Sequence, residues 1–202
     1  MECVMKPDKI EYIQITERSK TDAQAVEGKM KALTYKLFGL FNPVPYELIS
    51  MRKVFVPYEL LVYSYRIGKG KRPGSTPGRF DKTGEIAIVF DNNEAHGFHF
   101  DLSEDLPLQK LLKANIDGEI LPDQCTEDQV LQNTKDTIRF RYLSRGLGHV
   151  CELELTNRSK FYRPAWELTV SANGKQMQRF AYLDIYGSMN ENISGLKVRL
   201  NI

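Results

Sequence analysis

Two stretches of the chain carry apolar residues at steps of three and four, the spacing of one face of a helix. The first contains Val26, Met30, Leu33, Leu37 and Leu40, and the second, less regular, contains Leu131, Thr134, Ile138 and Tyr142. Each stretch begins with a Thr-x-x-Gln capping box, at Thr21 and at Thr126, in which hydroxyl and amide satisfy free backbone N–H groups. The pattern therefore predicts one helix in each half of the chain.

Extended runs rich in β-branched and aromatic residues follow each helix and predict strands. In the first half they cover residues 46–56, 59–67 and 84–91, and in the second half the last two end at 170 and 184. Pro57 and Pro164 interrupt these runs, and because proline has no N–H we predict a strand start, bulge or sheet edge at each, with a bend shared by both halves. Asn173-Gly174 predicts a tight hairpin between the last two strands.

The two halves resemble each other in sequence. Residues 53–62 (KVFVPYELLV) and 160–170 (KFYRPAWELTV) share Lys, Pro and an aromatic residue directly before Glu-Leu, with one inserted residue in the second. This alignment makes Tyr58 equivalent to Trp166. We infer a duplication and predict an α+β fold of two tandem repeats, each a helix packed on a short antiparallel sheet. The alternative is an irregular single α+β domain with coincidental similarity.

The predicted boundaries follow from the repeat. Residues 1–102 form the first repeat with an added N-terminal strand, 103–124 a connecting segment, and 125–202 the second repeat.

The second half resembles the sequence pattern of PepSY-type domains, a Pro-x-Trp-x-hydrophobic strand followed by a hairpin and an aromatic strand that ends on Asp. The matching positions are Pro164, Trp166, Leu168, Tyr182, Asp184 and Gly187, with weaker matches in the first half at Pro57, Tyr58, Asp91 and Gly97. The resemblance implies a cystatin-like layout of a helix against an antiparallel sheet. Members of that family often bind or inhibit peptidases, or serve as accessory modules in cell-envelope proteins.

Composition narrows the class of protein. The 202 residues are 42% hydrophobic and 27% charged, which is typical of a globular domain with a sizeable core. A net charge of +2 gives no global attraction to nucleic acid or to anionic membranes. Without a signal-like N-terminus or an apolar run of membrane-spanning length, we predict a soluble, cytoplasmic protein with no membrane span. Cys3, Cys125 and Cys151 share no close spacing and are predicted to be reduced thiols.

Metal and phosphate chemistry have weak candidates. His96 and His99 lie near several carboxylates, but in a strand they point to opposite faces, so we predict a turn leading into an edge strand rather than a metal site. The basic, glycine-rich segment 68–79 lacks the order of a phosphate-binding loop and is predicted to be a long solvated loop, with contact to an anionic partner as the alternative.

Catalytic signatures are weaker still. Glu59 and Glu167 recur at matching positions, and we interpret them as solvent-face charges or partners of Lys53 and Lys160 rather than a catalytic pair. We predict no cofactor.

The function predicted from these features is non-catalytic. We expect a protein- or peptide-binding module, inhibitory or structural in role, that takes a partner by strand addition. The candidate contact residues are Tyr58, Lys69, Lys71, Arg72 and Trp166. The alternative is a small-ligand-binding protein or hydrolase with its site in a cleft between the repeats. The sequence leaves the partner and the oligomeric state open.

Overall fold

Two strands of more than twenty residues organise the fold. A computed structural model describes residues 12–18, 21–36, 46–69, 80–100, 111–143, 149–172 and 174–184. Its strands are β1 (Tyr12–Ile15), β2 (Glu47–Lys69), β3 (Phe80–Asp91), β4 (His96–Phe100), β5 (Leu112–Asn115), β6 (Glu119–Ile120), β7 (His149–Ala172) and β8 (Lys175–Tyr182). Its α-helices are α1 (Asp22–Lys36) and α2 (Glu127–Thr137), and a π-helical turn (Ile138–Leu143) follows α2.

The long strands β2 and β7 pair antiparallel along almost their whole length and form the centre of one eight-stranded sheet. The sheet order is β4-β3-β2-β7-β1-β5, with β6 beside β2 and β8 beside β7. The short strands β1 and β6 run parallel to β7 and β2, and the other pairings are antiparallel. The sheet is therefore mixed, and its two central strands come from opposite halves of the chain.

Both helices lie on one face of this sheet, and each packs on strands from the other half of the sequence. Helix α1 contacts β7 and β8, whereas α2 contacts β3 and β4. Apolar clusters form beneath α1 around Leu168 and Val170, and beneath α2 around Leu61 and Ile88. A third cluster, on the opposite face, includes Val56, Val89 and Phe161.

The predicted fold of two helix-on-short-sheet repeats is wrong. Strand content dominates the described residues, and one large mixed sheet replaces the two short sheets. The matching segments around Pro57 and Pro164 do not form separate cores, because they pair with each other across the centre of that sheet. The ladder between β2 and β7 satisfies backbone N–H and C=O groups along one edge of each strand, which two separate short sheets would leave as open edges.

Neither Pro57 nor Pro164 begins a strand or forms a bulge, since β2 and β7 run through them and the register shifts of their ladder lie at Leu48/Ser50 and Val62/Tyr63. The Pro57 carbonyl accepts the N–H of Asn92 at 3.1 Å, and the Pro164 carbonyl accepts that of Leu183 at 2.9 Å, both on the side away from the central ladder. N–H and C=O of a strand residue point to the same side, so each missing N–H also lies there. The outer neighbour changes at these points, from β6 to β3 and from β1 to β8, and the central ladder loses no hydrogen bond.

Local signals were more reliable than the predicted arrangement. The capping box at Thr126 is confirmed in both directions, with the Gln129 N–H donating to the Thr126 hydroxyl and the Thr126 N–H donating to the Gln129 amide oxygen. At the first helix the Gln24 N–H donates to the Thr21 hydroxyl. The predicted hairpin is confirmed as well, because Ala172 pairs with Lys175 across a two-residue turn.

Candidate functional site

The structure separates the predicted contact residues rather than gathering them. Tyr58 is completely buried, so its side chain does not reach the surface and cannot contact a partner as predicted. Trp166 is half-buried. Lys69 is the last residue of β2, and Lys71 and Arg72 lie outside the described residues together with most of the segment 68–79.

Tyr58 and Trp166 are not equivalent, because they lie on opposite faces of the sheet. Tyr58 belongs to the cluster on the face without helices, whereas Trp166 packs in the cluster beneath α1. In the strand register Trp166 faces Lys53, and Glu59 faces Lys160. The inserted residue therefore put the alignment of the two halves out by one position. A shift of one residue moves a strand side chain to the other face of the sheet.

A buried ion pair lies at the centre of the sheet. The Arg163 guanidinium donates from Nε to Asp184 Oδ2 at 2.7 Å and from Nη2 to Oδ1 at 2.8 Å. Both side chains are 0% exposed. The Thr16 hydroxyl donates to the same carboxylate at 2.7 Å, and the Tyr182 ring centre lies 3.7 Å from Arg163 Cζ. Burial is the largest single influence on the pKa of Arg163 and lowers it, but the charge and hydrogen bonds of Asp184, together with Tyr58 and Tyr182, raise the pKa overall, so the guanidinium stays protonated.

Tyr58 extends this network. Its hydroxyl donates to Asp91 Oδ2 at 2.5 Å and lies 3.0 Å from the Tyr182 hydroxyl. The other Asp91 oxygen accepts the N–H groups of Asn93 and Glu94. Burial raises the pKa of both tyrosines above the ordinary value, which keeps them neutral. Arg163, Asp184 and Tyr58 are each 0% exposed. The network therefore has a structural role.

Glu59 and Glu167 are buried, 5% exposed each, so the predicted solvent-face position is wrong. Their carboxylates pair with Arg158 and Arg52, each at 2.5 Å from Nε, rather than directly with the two lysines of the repeat. The two sites lie seven residues apart along β2, at positions 52 and 59, which corresponds to about 23 Å. They cannot act together on one substrate.

Within the described part of the chain, no group of three or more His, Cys, Asp or Glu is arranged to hold a metal ion. Cys125 and Cys151 are free thiols, and burial raises the pKa of each, which disfavours the reactive thiolate.

The junction between the two halves, where the alternative hypothesis placed a cleft, is filled by side chains. Val56, Tyr58, Phe161 and Arg163 occupy it, and each is 0% exposed. No observation in the described ranges favours a ligand site at that position.

The most distinctive surface feature is the outer edge of β2 over residues 47–52, which we call the β2 edge. Leu48, Ile49 and Met51 are 40%, 48% and 45% exposed, and they are three of the six large apolar side chains that are more than a third exposed in the described residues. β7 pairs with one side of this segment. On the other side, no strand in the described ranges pairs with it, since β6 begins to pair only at Val54.

The apolar side chains of the β2 edge continue a buried cluster. Leu48 and Met51 lie opposite Val170 and Leu168, both fully buried beneath α1. Helix α1 packs over β7 and β8, and with the described residues in place the three apolar side chains of the β2 edge stay 40–48% exposed. The edge therefore offers backbone hydrogen-bonding groups next to an apolar surface. The sequence carried one unused signal for it: the apolar pair Leu48-Ile49 breaks the alternation expected of a strand with one solvated face.

The outer edge of β8 shows the contrast. It pairs with β7 alone among the described strands, but its exposed residues are Lys175, Gln176 and Gln178, with Arg179 beside them. Charged and polar side chains of this kind discourage pairing with another chain. The β2 edge also carries exposed Glu47, Ser50 and Arg52, and it differs from the β8 edge in its three exposed apolar side chains.

Comparisons with known proteins add no identification: no family model, curated protein or solved structure matches the chain. The resemblance to PepSY-type domains therefore stays a prediction. Among the described residues, no helix is long and apolar enough to cross a membrane.

Proposed function

We propose that the protein is a non-catalytic binding module that takes an extended apolar segment of a partner protein as an added strand on the β2 edge. Strand addition draws its affinity from backbone hydrogen bonds and its specificity from alternate side chains. The single observation that carries the proposal is the coincidence, over residues 47–52, of an outer side that no described strand pairs with and three exposed apolar side chains.

The backbone of this edge is oriented for pairing. The Phe55 carbonyl accepts the Leu121 N–H on the outer side of β2. Because backbone orientation alternates along a strand, the N–H and C=O groups of Lys53 and Met51 point to that same side. An incoming strand can therefore bond to the backbone at Met51 while its apolar side chains contact Met51 and Leu48.

Selection from a random peptide library on the full-length protein, followed by fluorescence-polarisation titration of the selected peptides, tests the proposal. We expect Met51→Glu to weaken binding about tenfold or more, because it places a charge in the apolar contact. Leu112→Glu is the matched control, since Leu112 is 48% exposed, close to the 45% of Met51, but lies on β5. It should leave binding unchanged.

Two results would contradict the proposal. One is the absence of any selected peptide that binds in titration. The other is an equal loss of affinity in the Met51 and Leu112 variants, which would mean that peptides bind apolar surface without regard to the edge. Dimerisation of the protein that Met51→Glu abolishes would instead identify a second copy as the occupant.

A further inference from the structure

A second strand edge lies at the other end of the ladder between β2 and β7. We call it the β7 edge, residues 151–157. β2 pairs with one side of this stretch. Within the described ranges nothing pairs with the other side, because β1 and β8 meet β7 only at Tyr162 and from Ala165 onward. Alternate backbone N–H and C=O groups of this edge are therefore directed outward, away from β2.

Side chains on the β7 edge alternate in chemistry. Leu153 and Leu155 lie opposite Tyr65 and Tyr63, on the face that carries α2, and Leu155 is 36% exposed. Glu152 and Glu154 project to the opposite face, and both are exposed. A strand paired here would meet leucines on one face and carboxylates on the other.

Among the described side chains, the carboxylate face of this edge has a net negative charge. Glu152 lies opposite Arg66, and Glu154 lies in a row with Ser64 and Glu85. Within that described set three carboxylates face one guanidinium, and both Glu85 and Arg66 are exposed.

The next basic residues along β7 do not neutralise Glu152 and Glu154, because they form ion pairs with other carboxylates. Arg158 pairs with Glu59 and Glu127, and Lys160 pairs with Asp123.

We propose that the β7 edge binds an extended segment of a partner protein in which apolar and basic residues alternate. Opposite charges directly across two paired strands attract, and like charges repel. A second copy of this chain paired antiparallel about Leu153 fits poorly, since that register sets Glu152 of each copy opposite Glu154 of the other. Nucleic acid is disfavoured by the same carboxylates. The proposal concerns a different edge from the one in the proposed function and does not depend on it.

Three synthetic peptides test the charge preference on the full-length protein by fluorescence polarisation. The basic probe contains Leu-Lys-Val-Arg-Leu, a sequence that also occurs in this chain at residues 196–200. The acidic probe replaces Lys and Arg by Glu, and the neutral probe replaces them by Gln. We expect the basic probe to bind about tenfold more tightly than the acidic one at low salt, with the neutral probe between them.

Charge reversal on the protein tests the charge preference more directly. Glu152→Lys combined with Glu154→Lys should invert the order of the basic and acidic probes. Because both side chains are exposed, circular dichroism should show an unchanged fold. Met51→Glu should leave binding of the basic probe unchanged, which separates this edge from the β2 edge.

The proposal is overturned if the three probes bind equally, if none binds, or if charge reversal leaves their order unchanged. A variant of the protein carrying Lys197→Glu and Arg199→Glu tests whether the chain's own residues 196–200 bind to the β7 edge. If that variant alone gains affinity for the basic probe, the chain's own segment competes for the edge, and the assignment to a separate partner protein is wrong.

Discussion

Replacement of Arg163 by Met tests the buried ion pair that joins the centre of the sheet to the end of β8. The substitution keeps an unbranched apolar stem but removes the cation, and it leaves the Asp184 carboxylate buried without its bidentate partner. Breaking a buried pair by removing one member costs about 3–5 kcal/mol. Since both side chains are 0% exposed, we expect the full penalty rather than the small value typical of surface pairs.

The matched variant is the double substitution Arg163→Met and Asp184→Leu. It removes both charges, so no ion is left buried without a partner, and replacement of such pairs by apolar residues is often close to neutral. We therefore expect the double variant to be more stable than Arg163→Met alone. The free energy of unfolding, from urea titration followed by circular dichroism, measures both.

Two outcomes would refute this reasoning. A loss below about 1 kcal/mol for Arg163→Met would show that the charge is solvated rather than buried. A double variant whose loss equals the summed losses of Arg163→Met and Asp184→Leu, each measured alone, would show that the two residues act independently. If Arg163→Met fails to fold, the double variant still decides, because only coupled charges predict that it recovers.

Three further predictions concern local features. Thr126→Ala should lower the free energy of unfolding by about 1 kcal/mol in urea titration through loss of the capping box, and an unchanged value would contradict that role. Gly118→Ala should destabilise the protein by about 1–3 kcal/mol, because its Cβ would lie 2.9 Å from the Lys53 carbonyl oxygen, whereas Gly28→Ala in α1 meets no atom within 4 Å and should not destabilise it. Because burial raises the folded pKa of Tyr58 above the unfolded value near 10, its contribution to stability is complete below about pH 10 and declines as pH rises toward the folded pKa. Urea midpoints measured between about pH 8 and 12 should show that decline and a shallower one for Tyr58→Phe.

Local structure was the part of the fold that the sequence could predict. The helix start at Thr126 and the hairpin between Ala172 and Lys175 depend on residues close together in the chain, and both are confirmed. The pairing of β2 with β7 joins residues about a hundred positions apart and has no local signature. The prolines misled for a related reason: whether a missing N–H breaks a strand depends on what lies beside it, which only the assembled sheet decides.

The two strand edges on which the proposals rest were not located from the sequence. Tyr58 was chosen as an aromatic contact, yet the strand register places its side chain in a buried cluster, on the face opposite α1 and α2. A register shifted by one residue would have placed it on the other face. The sequence did not predict that Arg163 is buried, because a buried arginine can be recognised only once its partner Asp184 is known. Leu48, Ile49 and Met51 were missed because strand-forming residues do not indicate whether a neighbouring strand covers them.

Hydrogen exchange at the β2 edge tests the proposed function most directly. Backbone amides of residues 47–52 would be followed by mass spectrometry in the free protein and in the protein saturated with a library-selected peptide. Strand addition predicts that exchange slows about tenfold or more at the outward amides of this segment, while β5 is unchanged. If the peptide binds but residues 47–52 exchange at the rate of the free protein, the peptide binds elsewhere, and the β2 edge is not the site.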